Sequence, residues 1–335
     1  MGITSKKLAE MLGLSEAAVS LALNGKPGVS RETRRRVLDA AQAHDFDFSR
    51  KGMSVAAKKG VVCFAVYKKS GAVVDDTPFF SALTGGVSMG CRREGYDCVI
   101  RYMYDDDDLP DQVRTLRSAN FSGVIVLATE MDEPTIKFFS DIGVPVVFLD
   151  AYYETLPCNF ILINNIQGAF MATEYLIRKR RTQPGYLRSA YAISNFEQRA
   201  DGFYKAIRAA GMSTSKSPVH RLTPSQDGAY ADMKQLLEAG EKPAASYFAD
   251  NDLIAIGAMQ ALNEAGYSIP GDVAIVGFDD IPACEYMDPP MHTIMVPKQF
   301  MGETAAARII QLVEGRNAHP LKIEVATRLI CRKSV

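Results

Sequence analysis

From Gly60 onward the chain alternates short apolar runs with amphipathic stretches, and this alternation narrows the possible folds more than any other feature. The runs GVVCFAVY, YDCVIRY, SGVIVLA, PVVFLD and FILIN read as buried strands, separated by helices near Phe79 to Glu94, Leu109 to Ser118 and Pro134 to Ile142. The second half repeats the pattern. GYLRSAYA, AASYFA and DVAIVGF read as strands, with helices near Ile166 to Arg178, Gln198 to Ala210, Ser225 to Ala239 and Leu253 to Glu264. A parallel strand pair needs a crossover connection, so strands alternating with helices imply parallel, doubly wound sheets. Such sheets bind ligands in the crevice beyond their strand C-termini, which makes the loops after these strands the place to look.

The first 59 residues have a different grammar. Thr4 can cap a helix whose Leu8, Met11 and Leu12 recur at helical spacing, and Gly13 ends it after about two turns. Ser15 can cap a second helix running to about Leu23, with Val19 and Leu23 on one face. Two short helices joined by Gly13-Leu14 make a helix-turn-helix. After the turn-rich Asn24 to Gly28, Ser30 caps a third helix with Val37, Leu38 and Ala41 as its inner stripe. Charge divides at the same place. The net charge of −1 conceals 11 Lys and Arg against 6 Asp and Glu in residues 1–59, and 27 against 33 in the rest. A basic head on an acidic body suggests that the head alone meets a polyanion.

At 335 residues the chain is too long for one ordinary core, and 47% hydrophobic with 23% charged residues is the composition of a globular protein. No run of about 18 apolar residues occurs and MGITSKKLAE has no apolar leader, so the expectation is a cytoplasmic protein with no membrane partner. The six cysteines are scattered, with no CxxC pair, and read as reduced structural thiols. The four histidines form no HxxxH or HExxH pair, no GxxxxGK[ST] loop occurs, and the run Asp105 to Asp108 lacks the Gly and terminal Glu of a calcium loop. No metal, no cofactor and no enzymatic activity are therefore expected. Gly86 to Gly90 does satisfy GxSxG, but a nucleophile elbow needs a strand before the serine, and FFSALTG already reads as helix.

The run SKKLAEMLGLSEAAVSLALNGKPGVSRETRRRVLDAAQ resembles the DNA-binding head of the lactose/galactose repressor family at fixed offsets. The resemblance extends along the body through VPVVFLD, INNIQGAFMATEYLI, QRADGFYKAIRAAG and FADNDLIAIGAMQALNEAGYSIPGDVAIVGFDDI. It implies an α/β chain with an N-terminal three-helix helix-turn-helix domain and a two-lobed domain like the periplasmic binding proteins, built of doubly wound parallel sheets. The expected division is 1–58 for head and hinge and 59–335 for effector binding and dimerisation. Within the body, the first lobe takes about 60–163 and 295–323, the second about 164–294 and 324–335, with crossings near 163, 295 and 323.

The resemblance also implies roles for particular residues. The second helix would enter the major groove, with Ser15, Glu16, Ala17 and Leu21 as base-reading candidates. Where relatives often carry Arg, this chain has Leu21, which removes a guanine contact worth about 1–3 kcal/mol of discrimination. Thr4, Ser5, Ser20, Asn24, Ser30, Thr33, Arg34 and Arg50 are candidates on the DNA side, phosphate contacts among them. In the hinge segment, the nearest substitutes for the usual minor-groove Leu are Met53 and Val55, and Gly52 disfavours a hinge helix. The effector contacts map to Phe79, Asp150, Arg199, Asn251 and Asp279. Carboxylates, an amide, a forked guanidinium and a ring face suit a polyol, so the expected effector is a sugar or sugar derivative.

The function these readings imply is a homodimeric, sequence-specific DNA-binding regulator, expected to be a repressor, that binds a pseudo-palindromic operator in double-stranded DNA. The absence of a trailing Leu heptad predicts no coiled-coil tetramer. The alternative, a solute-binding protein without a transcription role, predicts a secretory leader in place of the basic head.

Overall fold

The computed structural model describes residues 4–23, 28–44, 59–74, 77–105 and 108–335. The chain divides into two compact units at Lys59/Gly60.

The first unit is three helices: α1 (Ser5–Leu12), α2 (Glu16–Leu23) and α3 (Arg31–Ala43). Their starts are fixed by side-chain caps. Thr4, Ser15 and Ser30 accept from the backbone N–H of Lys7, Ala18 and Thr33 at 3.3, 3.1 and 3.0 Å. Gly13 closes α1 in the left-handed region at φ 64, where a side chain would be strained. Leu8, Ala9, Val19, Ala22, Val37 and Ala41 form the core, and each fully buried Leu or Val contributes about 1.5–3 kcal/mol. Two residues expected in the stripes lie elsewhere: Met11 is 50% and Leu38 39% exposed. The buried stripe is narrow, made of Leu8, Val19 and Val37 with the alanines Ala9, Ala22 and Ala41, and Met11 and Leu38 fall beyond its edges.

The second unit begins β1 (Val61–Lys68), α4 (Pro78–Arg93), β2 (Asp97–Tyr104), α5 (Leu109–Ser118), β3 (Gly123–Leu127), α6 (Glu133–Ser140), β4 (Val146–Leu149) and β5 (Phe160–Ile163). It continues through α7 (Asn165–Arg180), β6 (Gly185–Ser189), α8 (Ser194–Ala209), β7 (Val219–Leu222), α9 (Gln226–Glu238), β8 (Ser246–Ala249), α10 (Asp252–Glu264), β9 (Ala274–Asp279) and α11 (Ala283–Tyr286). The chain closes with β10 (His292–Met295), α12 (Lys298–Val313), β11 (Lys322–Val325) and β12 (Arg328–Ile330).

Two six-stranded sheets result, ordered β11-β5-β4-β3-β1-β2 and β12-β10-β9-β8-β6-β7. Every pairing is parallel except β10 with β12. The strands β3, β5 and β8 are buried along their whole length, which is why they read as continuous apolar runs rather than alternating ones. The chain passes from the first sheet to the second after β5, returns after β10 through α12 to β11, and leaves again between Val325 and Arg328.

Glycines set how closely two of these helices approach. A Cβ on Gly86 would lie 2.1 Å from the Gln299 carbonyl oxygen, one on Gly302 2.3 Å from that of Leu83, and one on Gly90 2.6 Å from the Ala306 Cβ. The GxSxG run is therefore the seam along which α4 meets α12. Ser88 lies inside a helix, with no strand leading into it.

Candidate ligand cleft and nucleic-acid interface

Because the strands of both sheets are parallel save β12, the loops at their C-terminal ends collect on one side, and there they form a narrow cleft with about 510 Å³ of space when the open solvent at its mouth is included. Phe79, Asp150, Arg199, Asn251 and Asp279 all line it. Phe79 comes from the first turn of α4, and Asp150 and Asp279 from the ends of β4 and β9. Arg199 projects from α8, and Asn251 caps α10.

The carboxylates stand on unusual backbone. Asp150 has φ 63, Asp279 φ 117 and Asp280 φ 56, conformations that cost non-glycine residues energy and gather at functional sites. Asp150 accepts from the Thr129 hydroxyl at 2.7 Å and from the Asn195 amide at 3.0 Å. Burial nevertheless pushes its carboxyl up to about 6, against those hydrogen bonds and the charge of Arg199. Asp279 is also raised by burial, opposed by Arg199 and Lys298. Behind the wall, burial lifts Asp250 to about 6, and in the lining, burial together with the charge of Asp279 lifts Asp252 to about 7.

One cation organises this acidic site. Arg199 is 3% exposed. It donates from Nε to Asn165 at 2.9 Å, from one terminal nitrogen to the Asp250 carbonyl and from the other to Asp279 at 3.4 Å. Its guanidinium stacks 3.8 Å from the centroid of the Phe278 ring. A lysine could not fill this position, because it lacks the planar fork that spans three partners and lies flat on a ring. Asn251 spends its side-chain oxygen on the Ile254 N–H at 2.9 Å, which leaves its amide nitrogen as the donor for a ligand. Phe79, 5.0 Å from Phe80 between ring centroids, supplies an apolar wall.

Several residues of this site escaped the sequence reading. Thr129 and Asn195 hold Asp150, and α8 begins at Ser194 rather than near Gln198, so its first turn brings Ile193, Asn195 and Phe196 to the cleft. Lys298 donates to the backbone carbonyls of Asp279, Asp280 and Val296 and lies 5.6 Å from the centroid of Phe79. Glu130 is the most constrained. Its two oxygens accept from the N–H groups of Lys69, Ser70, Gly71, Val73 and Val74 at 2.7–3.1 Å, tying the loop after β1 to the end of β3. Those hydrogen bonds hold its carboxyl below the usual range despite burial. Position after a strand was the available signal for Thr129, Glu130 and Asp252.

In the head, Ser15, Glu16 and Ala17 form an exposed first turn of α2, with Ser20 and Leu21 half-buried further along. Thr4 and Ser30 are exposed caps, while Thr33 and Arg34 are partly exposed on α3. Thr33 shares a 2.8 Å hydroxyl contact with Ser30. Ser5, expected to meet DNA, is only 4% exposed because it opens α1 against the core. Asn24, Arg50, Met53 and Val55 lie outside the described residues. Among the described residues, no group of three or more metal-ligating side chains occurs and no helix is long and apolar enough to cross a membrane.

The profile of the periplasmic binding protein-like domain matches residues 173–335. A repressor named PurR from Mannheimia succiniciproducens is 29% identical over 338 residues, covering 99% of this chain and 98% of its own. Among solved structures, a complex of the transcriptional regulator CelR with cellobiose superposes with a TM-score of 0.73 at 24% identity, covering 99% of this chain and 100% of that one. The lac repressor dimer bound to operator and the anti-inducer ONPF does so at 0.71 and 23%, covering 100% and 99%. The chain is similar over essentially its full length to transcriptional regulators of the lactose/galactose repressor type. The similarity takes in both units of the chain, the helical head and the α/β body.

Proposed function

We propose that this regulator represses transcription as a homodimer, binding a pseudo-palindromic operator through α2 of each head and taking a sugar or sugar derivative as effector in the cleft. The observation that carries the effector reading is the meeting of Phe79, Asp150, Arg199, Asn251 and Asp279 around one space, with donors, acceptors and a ring face in the proportions a polyol needs. CelR, a relative of the same fold, is known in complex with cellobiose, which supports the same class. The five positions, as ligand contacts, belong to this proposal.

The DNA reading rests on the exposed Ser15, Glu16 and Ala17 at the start of a helix that is free of core duty on that side. Ser20, Leu21, Thr4, Ser30, Thr33 and Arg34 complete the described part of the surface. Homodimerisation is supported by β2, an edge strand on which Val99, Ile100, Tyr102 and Tyr104 are 39–52% exposed. An unpaired apolar edge of this kind invites a second copy, as the lac repressor dimer also suggests. A dimer presents two heads to half-sites about 34 Å apart, and a ligand shifts that spacing only through different affinities for two lobe arrangements. The protein would act in the cytoplasm.

The experiment is a selection from randomised duplexes with the full-length chain at several salt concentrations, followed by thermal-shift screening of sugars. A palindromic, salt-sensitive preference relieved or strengthened by one sugar is expected. No preference for any duplex would overturn the DNA reading, and stabilisation by nucleobases but by no sugar would overturn the effector reading.

A further inference from the structure

We infer that the cleft continues into a second compartment that takes a second sugar ring, so that the effector is a two-ring glycoside rather than a free monosaccharide. This rests on the sugar reading proposed above and adds the size and composition of the ligand. The compartment holds about 990 Å³ of unfilled space including its mouth. It shares Val73 and Ile193 with the first cleft, so a ligand in one abuts the other.

Its walls have the chemistry of a ring subsite. Tyr191 offers a 43% exposed ring from the second lobe, and Tyr153 faces the same space from the first, anchored by its hydroxyl on the Met131 carbonyl at 2.7 Å. A ring fixed by its own hydroxyl loses little freedom when a sugar face packs on it. Between the tyrosines stand hydroxyl-binding groups. Lys69 and Asp132 are paired at 2.9 Å, and Glu197 carries spare acceptor capacity beside Arg188.

The same walls disfavour an anionic second unit. The backbone N–H groups of residues 69, 70, 71, 73 and 74 form the kind of nest that would cradle a phosphate, and the carboxylate of Glu130 already fills it. Asp132 and Glu197 add two further negative groups. The compartment draws Lys69, Asp132 and Tyr153 from one lobe and Tyr191, Ser194 and Glu197 from the other, so its occupant bridges the lobes and favours the arrangement seen here.

The test is calorimetric titration of the full-length protein with paired probes: glucose and cellobiose, glucose and maltose, galactose and lactose, with adenine as a sugar-free control. In one pair the disaccharide is expected to bind about tenfold or more tighter than its monosaccharide, and Tyr191→Ala to remove that advantage while leaving the monosaccharide affinity unchanged. The side chain of Tyr191 is exposed, and the hydrogen bonds at this residue come from its backbone, so the variant keeps the fold. Equal affinities within every pair, or equal loss of both partners in the variant, overturn the second subsite and leave the sugar reading standing. Failure of every sugar to bind, or preference for adenine, overturns the sugar reading and this inference with it.

Discussion

The head and the body place their candidate functional groups at opposite extremes of burial. In the head, Ser15, Glu16 and Ala17 lie on the outside of a helix whose inner face supplies Val19 and Ala22 to a small core. In the body, Asp150 and Arg199 are 1% and 3% exposed and hold each other's surroundings in place. A surface reader needs only a scaffold that keeps one helix presented. A ligand cleft must instead bury charge, and buried charge persists only with partners. The two regions should therefore fail differently when altered.

The largest effect should come from removing one region outright. Deleting residues 1–58 is expected to abolish operator binding in a mobility-shift assay while sugar affinity by calorimetry stays within about twofold, because the second unit carries its own cores and the whole cleft. Loss of both activities would mean that the regions are not separable. Next in size is Arg199→Ala, which removes the cation shared by Asp150, Asp250 and Asp279 and leaves Lys298 beside Asp279. Truncating one member of a buried charged network costs about 3–5 kcal/mol, so sugar affinity should fall by more than a hundredfold. Arg199→Lys should recover little of it, and a head-only readout, binding of operator without ligand, should change far less in either variant.

These two predictions also mark what was legible in advance. The alternation of strands with helices could be read because buried parallel strands are nearly pure apolar runs, as in VIVL and FILI; β2, whose run YDCVIRY reads as buried, is instead an edge strand exposed from Val99 to Tyr102. The caps Thr4, Ser15 and Ser30 were legible because capping is local chemistry. Strand β7 was not, since VHRL alternates exposed and buried residues at a sheet edge and shows no apolar run. The role of Glu130 was hidden for another reason: its five partners are backbone groups about 60 positions earlier, and backbone donors leave no residue-type signature. Met11 and Leu38 misled because helical spacing locates a face but not how wide the neighbouring helices leave it.

Glu130→Gln sharpens the comparison on the side of the body. The amide would set a donor against backbone N–H groups that now point at an acceptor, at a cost of about 3 kcal/mol to the loop. Sugar affinity should fall roughly tenfold in calorimetry as Val73 and the start of α4 lose their brace, while operator binding without ligand is unchanged. An unchanged affinity would mean that the loop keeps its shape without the carboxylate.

Acidity probes the same burial without a mutation. Asp150 and Asp252 titrate at about 6 and about 7, above their ordinary value of 3.8, so between about pH 4 and 7 the folded body binds more protons than the unfolded chain. Its stability should therefore fall as pH rises through that window, and the Tm of the body should be higher at pH 5.5 than at pH 8. Glu130, held below its ordinary value by backbone hydrogen bonds, shifts in the opposite direction. Sugar affinity should move the other way, dropping a few-fold below about pH 6 as Asp150 takes up a proton and loses acceptor capacity for ligand hydroxyls. A body that is more stable at pH 8 would contradict the raising of these groups by burial.

The smallest effect should come from Ser15→Ala, which tests whether exposure in the head means freedom from structural duty. Ser15 is exposed and a candidate to touch DNA, yet its hydroxyl also accepts the Ala18 N–H at 3.1 Å. Loss of an N-cap costs about 1 kcal/mol, enough to lower the melting temperature of the head by several degrees and operator affinity by about fivefold. Ser15→Asp keeps the cap and suits the helix dipole, but it sets a negative charge beside the phosphates. Restored head stability without restored operator affinity would separate contact from capping, whereas full recovery of both would make Ser15 a cap alone and move the reading of bases further along α2.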